Sequence, residues 1–198
     1  MMYEYLKKLD FKPNTVLDLG AWNGIWTRTC KEFWPEAHYT CIEAGAKHKE
    51  RLQKCANEVY IAVLGNKPQK VNMHLRQIRE NKITYTKGSN LFGDAPAFVN
   101  LDSRDMVTLD SLVGVGALYD FIKLDVQGAE ILIMKGAPEI FKRATYIVCE
   151  VNLLKDPNYF IIPDVKEMDT YMQGLGFNHN EVIETHKNQE QIDKIYWK

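Results

Sequence analysis

The sequence predicts an α/β fold: a mostly parallel central sheet, helices on both faces, and an antiparallel hairpin at the C-terminal end. Three observations predict it. Short apolar, β-rich runs alternate with segments of helical periodicity along most of the chain. Acidic or amide residues close several of those runs. A length of 198 residues suits one such domain.

The elements follow in order. TVLDLG (15–20) is a strand that breaks at Gly20. IWTRTCKEFW (25–34) reads as a helix with Ile25, Thr29 and Phe33 on one face, stopped by Pro35. HYTCIEA (38–44) is a second strand, and KHKERLQKCANE (47–58) a helix with Leu52, Cys55 and Ala56 inward. VYIAVLG (59–65) is a third strand. Segments 70–78 and 81–88 read as antiparallel strands inside a small insertion spanning 66–105. YDFIKLDV (119–126) is a buried strand, followed by the helix GAEILIMKG. TYIVCEV (145–151) is a strand, and 164–176 a helix striped by Val165, Met168, Met172 and Leu175. FNHNEVIETH and QIDKIYWK pair as a hairpin at the sheet edge, with Tyr196 and Trp197 covering the sheet. No repeat or long linker interrupts the pattern, so residues 1–198 form a single domain.

Composition narrows the class. Hydrophobic residues make up 45% and charged residues 26%, as in ordinary soluble globular proteins. A net charge of −1 argues against a dominant electrostatic grip on nucleic acid, leaving room only for a local basic patch, so no nucleic-acid partner is expected. Cys30, Cys41, Cys55 and Cys149 form no CxxC pair and no zinc spacing, which predicts buried thiols in a reducing compartment. The N-terminal MMYEYLKKLDF is charged throughout and lacks a signal core. No run approaches the roughly 18 apolar residues of a membrane helix. These features predict a cytoplasmic protein.

Ligands in such sheets sit outside the carboxyl ends of the strands, at the switch point. The residues there are Asp18 and Gly20, Glu43, Asn66, Asp125, and Glu150 with Asn152. Gly20 and Gly24 allow a sharp turn and close backbone approach to a ligand. The helix start beyond them favours a carboxylate or phosphate. Asp18, just before the turn, can meet a positive ligand group or hold the loop. Glu43 closes the second strand 19 residues after Gly24. An acid there can take both hydroxyls of a ribose. The two features together describe an adenosine-bearing ligand. Dinucleotide folds use GxGxxG, in which the middle glycine clears room for a pyrophosphate. Here that place is Trp22, in the order G-A-W-N-G, which disfavours a nicotinamide dinucleotide. S-adenosylmethionine carries no pyrophosphate and suits the looser turn.

At these residues the chain resembles the FkbM family of class I S-adenosylmethionine-dependent methyltransferases. The matching stretches are VLDLGAWNGIWT, CIEAG, AVLGN, KGSNLFGDA, VTLDSL and DFIKLDVQGAEILIMKGA, over roughly residues 12 to 155. The resemblance implies a Rossmann-like methyltransferase fold. It implies cofactor contacts from Asp18, Gly20, Ala21, Asn23 and Gly24, with Glu43 on the ribose and Asn66 facing the adenine. Ser89 and Asn90 are placed near the cofactor on the same ground. Two positions depart from the family pattern: Trp22 stands where Asn is common, and Gln127 where Glu is common. The family favours acceptor hydroxyls of glycans or small molecules.

Methyl transfer needs alignment above all, because the sulfonium donor is already activated. An alcohol acceptor must also lose its proton to a positioned base or a metal. Asp125 is the candidate active-site carboxylate, Glu150 stands beside it, and Lys123 shares its strand face two residues earlier. Asp125, Glu150 and Asn152 offer three oxygen ligands, a set that suits magnesium or a similar divalent cation. Glu130, in the first turn of the next helix, reads as structural. Tyr159 and Phe160 are candidates for an acceptor pocket. Two alternative functions are a nicotinamide-dependent oxidoreductase and a non-catalytic binding protein on the same fold.

Overall fold

The computed structural model describes residues 5–74, 101–153, 163–185 and 191–198. Its strands in chain order are β1 (Thr15–Leu19), β2 (His38–Glu43), β3 (Glu58–Ile61), β4 (Val63–Leu64), β5 (Gln69–His74), β6 (Leu101–Val107), β7 (Phe121–Leu124), β8 (Tyr146–Asn152), β9 (His179–Thr185) and β10 (Gln191–Trp197). The helices are α1 (Ile25–Phe33), α2 (Lys49–Leu52), α3 (Leu109–Val113), α4 (Glu130–Gly136), α5 (Pro138–Arg143) and α6 (Val165–Gly174).

Seven strands form the main sheet in the order β3-β2-β1-β7-β8-β10-β9. The first five are parallel, β10 runs antiparallel to β8, and β9 antiparallel to β10. The chain builds outward from β1 through β2 to β3, then returns to place β7 on the other flank of β1. The carboxyl ends of β1 and β7 therefore form the switch point. A second sheet, β4-β6-β5, carries the described part of the 66–105 segment.

Strand alternation sends successive side chains to two different cores. Val16 and Phe121 face Trp26, Cys30 and Trp34 on the α1 side. Leu17, Leu19, Ile122 and Leu124 face Ile133, Met134, Ile140 and Phe141 on the other. Asp120 fastens the amino ends of the central strands, accepting hydrogen bonds from the Asn14 and Thr15 amides at 2.6 and 3.0 Å. Met168 and Met172 are buried on α6, with Val165 and Leu175 packed beside them, as their spacing predicts.

Several elements differ from the sequence expectation. The buried face of α1 is Trp26, Thr27 and Cys30, while Ile25 is exposed. Trp26 decides this, because its ring stacks on Phe121 at 5.9 Å. The segment expected as one helix over 47–58 is a 3-10 turn, Ala46–His48, running into the one-turn α2. Leu52 and Cys55 point inward there as expected. The run 59–65 splits: the Ala62 amide bonds to the Glu43 carbonyl, and β4 then joins the second sheet. β5 pairs antiparallel with β6, a strand the sequence pattern did not suggest. The expected strand at 81–88 lies outside the described residues. The C-terminal hairpin forms as expected, with Trp197 stacked on His179 and tilted against Tyr146. All four cysteines are buried free thiols. No helix among the described residues is long and apolar enough to cross a membrane.

Candidate cofactor and acceptor site

The turn after β1 and the end of β2 are joined directly. The Gly20 and Ala21 amides donate to the Ile42 carbonyl at 3.0 and 3.2 Å. The Glu43 carboxylate accepts from the Trp22 amide at 2.8 Å and from the Gly45 amide at 2.7 Å. Each oxygen of an ionised carboxylate offers two lone pairs, so these contacts leave further acceptor capacity. Gly20 sits at φ 78°, and a Cβ there would lie 1.9 Å from the Asp125 carbonyl oxygen. Only glycine lets the ends of β1 and β7 approach this closely. Gly24 sits at φ 76° and opens α1 with no side-chain cap; a Cβ would meet Cys55 Sγ at 2.7 Å. Asn23 secures the same start, its Oδ1 accepting from the Ile25 amide at 3.1 Å and its carbonyl from Arg28 at 2.9 Å. Ala21 is buried beneath the turn.

Asp18 lies one level deeper. It is 1% exposed, and its Oδ2 accepts from the Thr27 hydroxyl of α1 at 2.6 Å. Its Oδ1 stands 3.7 Å from Lys123 Nζ. Burial pushes the Asp18 carboxyl above the usual carboxylate range, against the pull of Lys123 and Thr27. Lys123 is itself buried, donates to Asp125 Oδ2 at 3.1 Å, and lies 5.9 Å from the Trp26 ring centroid. Burial alone would lower its pKa, but Asp125 and Asp18 outweigh burial and push it up. Lys123 is therefore an ammonium, a holder of carboxylates rather than a base.

On the far flank of β1, Gln127 joins two acids. Its Nε2 donates to Asp125 Oδ1 and to Glu150 Oε2, both at 2.9 Å. Gln191 of β10 also donates to Glu150 Oε2, at 3.2 Å. Gln127 adopts φ 57°, a left-handed conformation uncommon outside glycine. Glu130 holds that loop, its Oε1 accepting from the Val126 and Gly128 amides at 3.2 and 3.1 Å. Sequence spacing gave Glu130 a structural role at the helix start but did not show this bond. Neither did it show the bridge made by Gln127.

Burial pushes the Glu130 carboxyl up to about 7, although its own amide and those of Gly128 and Val126 oppose the shift. A native pKa above the unfolded value means that the folded state holds its proton longer. That contribution is fully present below about pH 4.5 and is lost as pH rises through about 7. At about 1.4 kcal/mol per pKa unit, the loss is on the order of 3 kcal/mol. Wild type should therefore melt lower at pH 8 than at pH 5. Glu130→Gln keeps the acceptor oxygen and should reduce that difference by on the order of 5–10 °C. Equal pH dependence of melting in the two proteins would refute the assignment.

The remaining expected residues are spread more widely. Asn66 is exposed, and its backbone lies beside Gly136 at the end of α4. Asn152 ends β8 opposite Gln191; its side chain lies outside the described part of the structure. Ser89, Asn90, Tyr159 and Phe160 also lie outside the described residues. The divalent-cation reading does not fit the groups that are described. The amide donor of Gln127 stands between Asp125 and Glu150, where a cation would need oxygen. Among the described residues, no cluster of three or more His, Cys, Asp or Glu side chains could hold a metal.

A parallel sheet of this order, with a glycine turn after β1 tied to an acid ending β2, is the arrangement of a Rossmann-like nucleoside-binding fold. The model of the methyltransferase FkbM domain matches residues 18–178, and the chain belongs to that family. No curated protein matches in sequence. Solved structures match in fold. One is the precorrin-6y C5,15-methyltransferase of Geobacter metallireducens: TM-score 0.51, 13% identity, covering 100% of this chain and 87% of that one. Another is the plantazolicin methyltransferase BpumL bound to S-adenosylhomocysteine: TM-score 0.52, 10% identity, covering 100% and 80%. A third is an O-methyltransferase family protein of Burkholderia thailandensis: TM-score 0.52, 11% identity, covering 100% and 55%.

Proposed function

We propose that this methyltransferase transfers the methyl group to an oxygen, the hydroxyl of a neutral sugar, glycan or small molecule. The observation that carries the reading is the pair of carboxylates, Asp125 and Glu150, held together by Gln127 beside the switch point. S-adenosylmethionine supplies an electrophilic methyl group on a sulfonium centre. Asn23 and Gly24, at the start of α1, hold its amino-acid end, and Glu43 takes the ribose hydroxyls. Asp18 supports the turn from beneath through Thr27.

On the acceptor side, Asp125 would receive the hydroxyl proton as the new oxygen–carbon bond replaces the carbon–sulfur bond of the donor, with S-adenosylhomocysteine as the leaving group. Lys123 orients Asp125. Glu150 binds a second hydroxyl and so sets which oxygen is presented. Two carboxylates at the entrance repel phosphorylated or carboxylated acceptors, which is why neutral ones are favoured. Four buried thiols and no membrane-crossing helix among the described residues support a cytoplasmic setting. A single domain spanning 1–198 is part of the same reading.

A thermal-shift series with S-adenosylmethionine, S-adenosylhomocysteine and NAD tests the cofactor reading. A ligand at 100 times its dissociation constant stabilises by about 2.7 kcal/mol. The first two ligands should raise the melting temperature and NAD should not. Stabilisation by NAD alone would favour an oxidoreductase. Cofactor binding with no transfer to any hydroxyl compound would favour a non-catalytic role.

A further inference from the structure

Trp22 has no evident role in the fold. It is 58% exposed, among the most exposed large apolar side chains of the described residues. Its backbone sits at φ 46°, in the left-handed region that an aromatic residue rarely adopts. Its amide is fixed by Glu43 at 2.8 Å. The described ring contact is the edge of His48, at 6.1 Å between centroids and 66° between planes. His48 is buried, and burial lowers its pKa, so it presents a neutral imidazole. Ile25, next along the rim, is 48% exposed.

We propose that Trp22 is a cofactor-binding residue whose indole packs on the adenine of the bound nucleoside. The inference rests on the cofactor reading above. Position selects the occupant. Trp22 is fastened to Glu43 and His48 at the end of β2, the flank where a ribose would bind. The acids of the acceptor side lie across β1, at β7 and β8. A flat, weakly polar base beside the ribose is the group that an exposed indole suits. Glu43 then binds the nucleoside twice over: by its carboxylate, and by holding the residue that covers the base.

The test measures binding of two probes, S-adenosylhomocysteine and methylthioadenosine, by calorimetry. The second keeps the nucleoside and lacks the amino-acid end. Trp22→Gly removes the ring while accepting the left-handed backbone at no steric cost. Trp22→Phe keeps an aromatic face. Trp22→Gly should weaken both probes by the same factor, roughly 10- to 100-fold, the range of base–aromatic stacking. Trp22→Phe should stay within about threefold of wild type. The proposal is overturned if Trp22→Gly binds both probes like wild type. It is also overturned if only the homocysteine probe is weakened, or if Trp22→Phe is as weak as Trp22→Gly. Wild type that binds neither probe would instead remove the cofactor reading on which the proposal stands.

Discussion

Glu43→Ala is expected to weaken S-adenosylhomocysteine binding by about 100-fold or more while leaving the chain folded. Hydrogen bonds to a charged group contribute about 1.5–3 kcal/mol each, and about 1.4 kcal/mol is tenfold in affinity. The carboxylate would give two such bonds to a ribose. It also holds the Trp22 and Gly45 amides, so the substitution loosens the turn as well as removing the contact. The Trp22 amide is solvent-accessible and can turn to water, which keeps the loss of stability small. Glu43→Gln should fall between the two, because its amide nitrogen meets one of those N–H donors with another donor. Calorimetric titration of the three proteins reads the effect, and unchanged affinity in Glu43→Ala would reject the ribose role.

Asp125→Asn should separate chemistry from binding. Loss of a general base lowers turnover by about 10²- to 10⁴-fold. Affinity for S-adenosylhomocysteine should stay within about threefold, because the proposed cofactor contacts lie across β1. Turnover can be followed as S-adenosylhomocysteine formed in the presence of mixed neutral hydroxyl compounds. The asparagine oxygen can still accept from Lys123. Its amide nitrogen then faces the Gln127 nitrogen, donor against donor. Equal losses in turnover and affinity would move Asp125 into the cofactor site.

The sequence reveals the parts of this site that depend on strand ends. Glycines at 20 and 24 and an acid at 43 announce a turn and its partner, and β1 and β2 bring them together. It reveals less where short range and long range compete. VYIAVLG reads as one strand because it is apolar throughout, yet the chain leaves β2 after Ile61 and Val63–Leu64 pairs with β6 in the second sheet. α3 and α5 span five and six residues, too few for a helical period to stand out. In α1 the apolar spacing of Ile25 and Phe33 competed with Trp26, and the larger ring took the interior. Gln127 gave no signal as a bridge: the ends of the strands at 125 and 150 were expected side by side, but nothing local shows that the side chain at 127 spans them.

The close approach of Gly20 to the Asp125 carbonyl joins the ends of β1 and β7, to which the proposed function assigns donor and acceptor, through bare backbone. Most enzymes that join two reactants can adjust their spacing by exchanging a side chain. Here the interval is set by bare main chain, and any methyl group at that point would wedge the two halves apart. Evolution of a new acceptor preference would have to work at the periphery, leaving the reaction distance untouched.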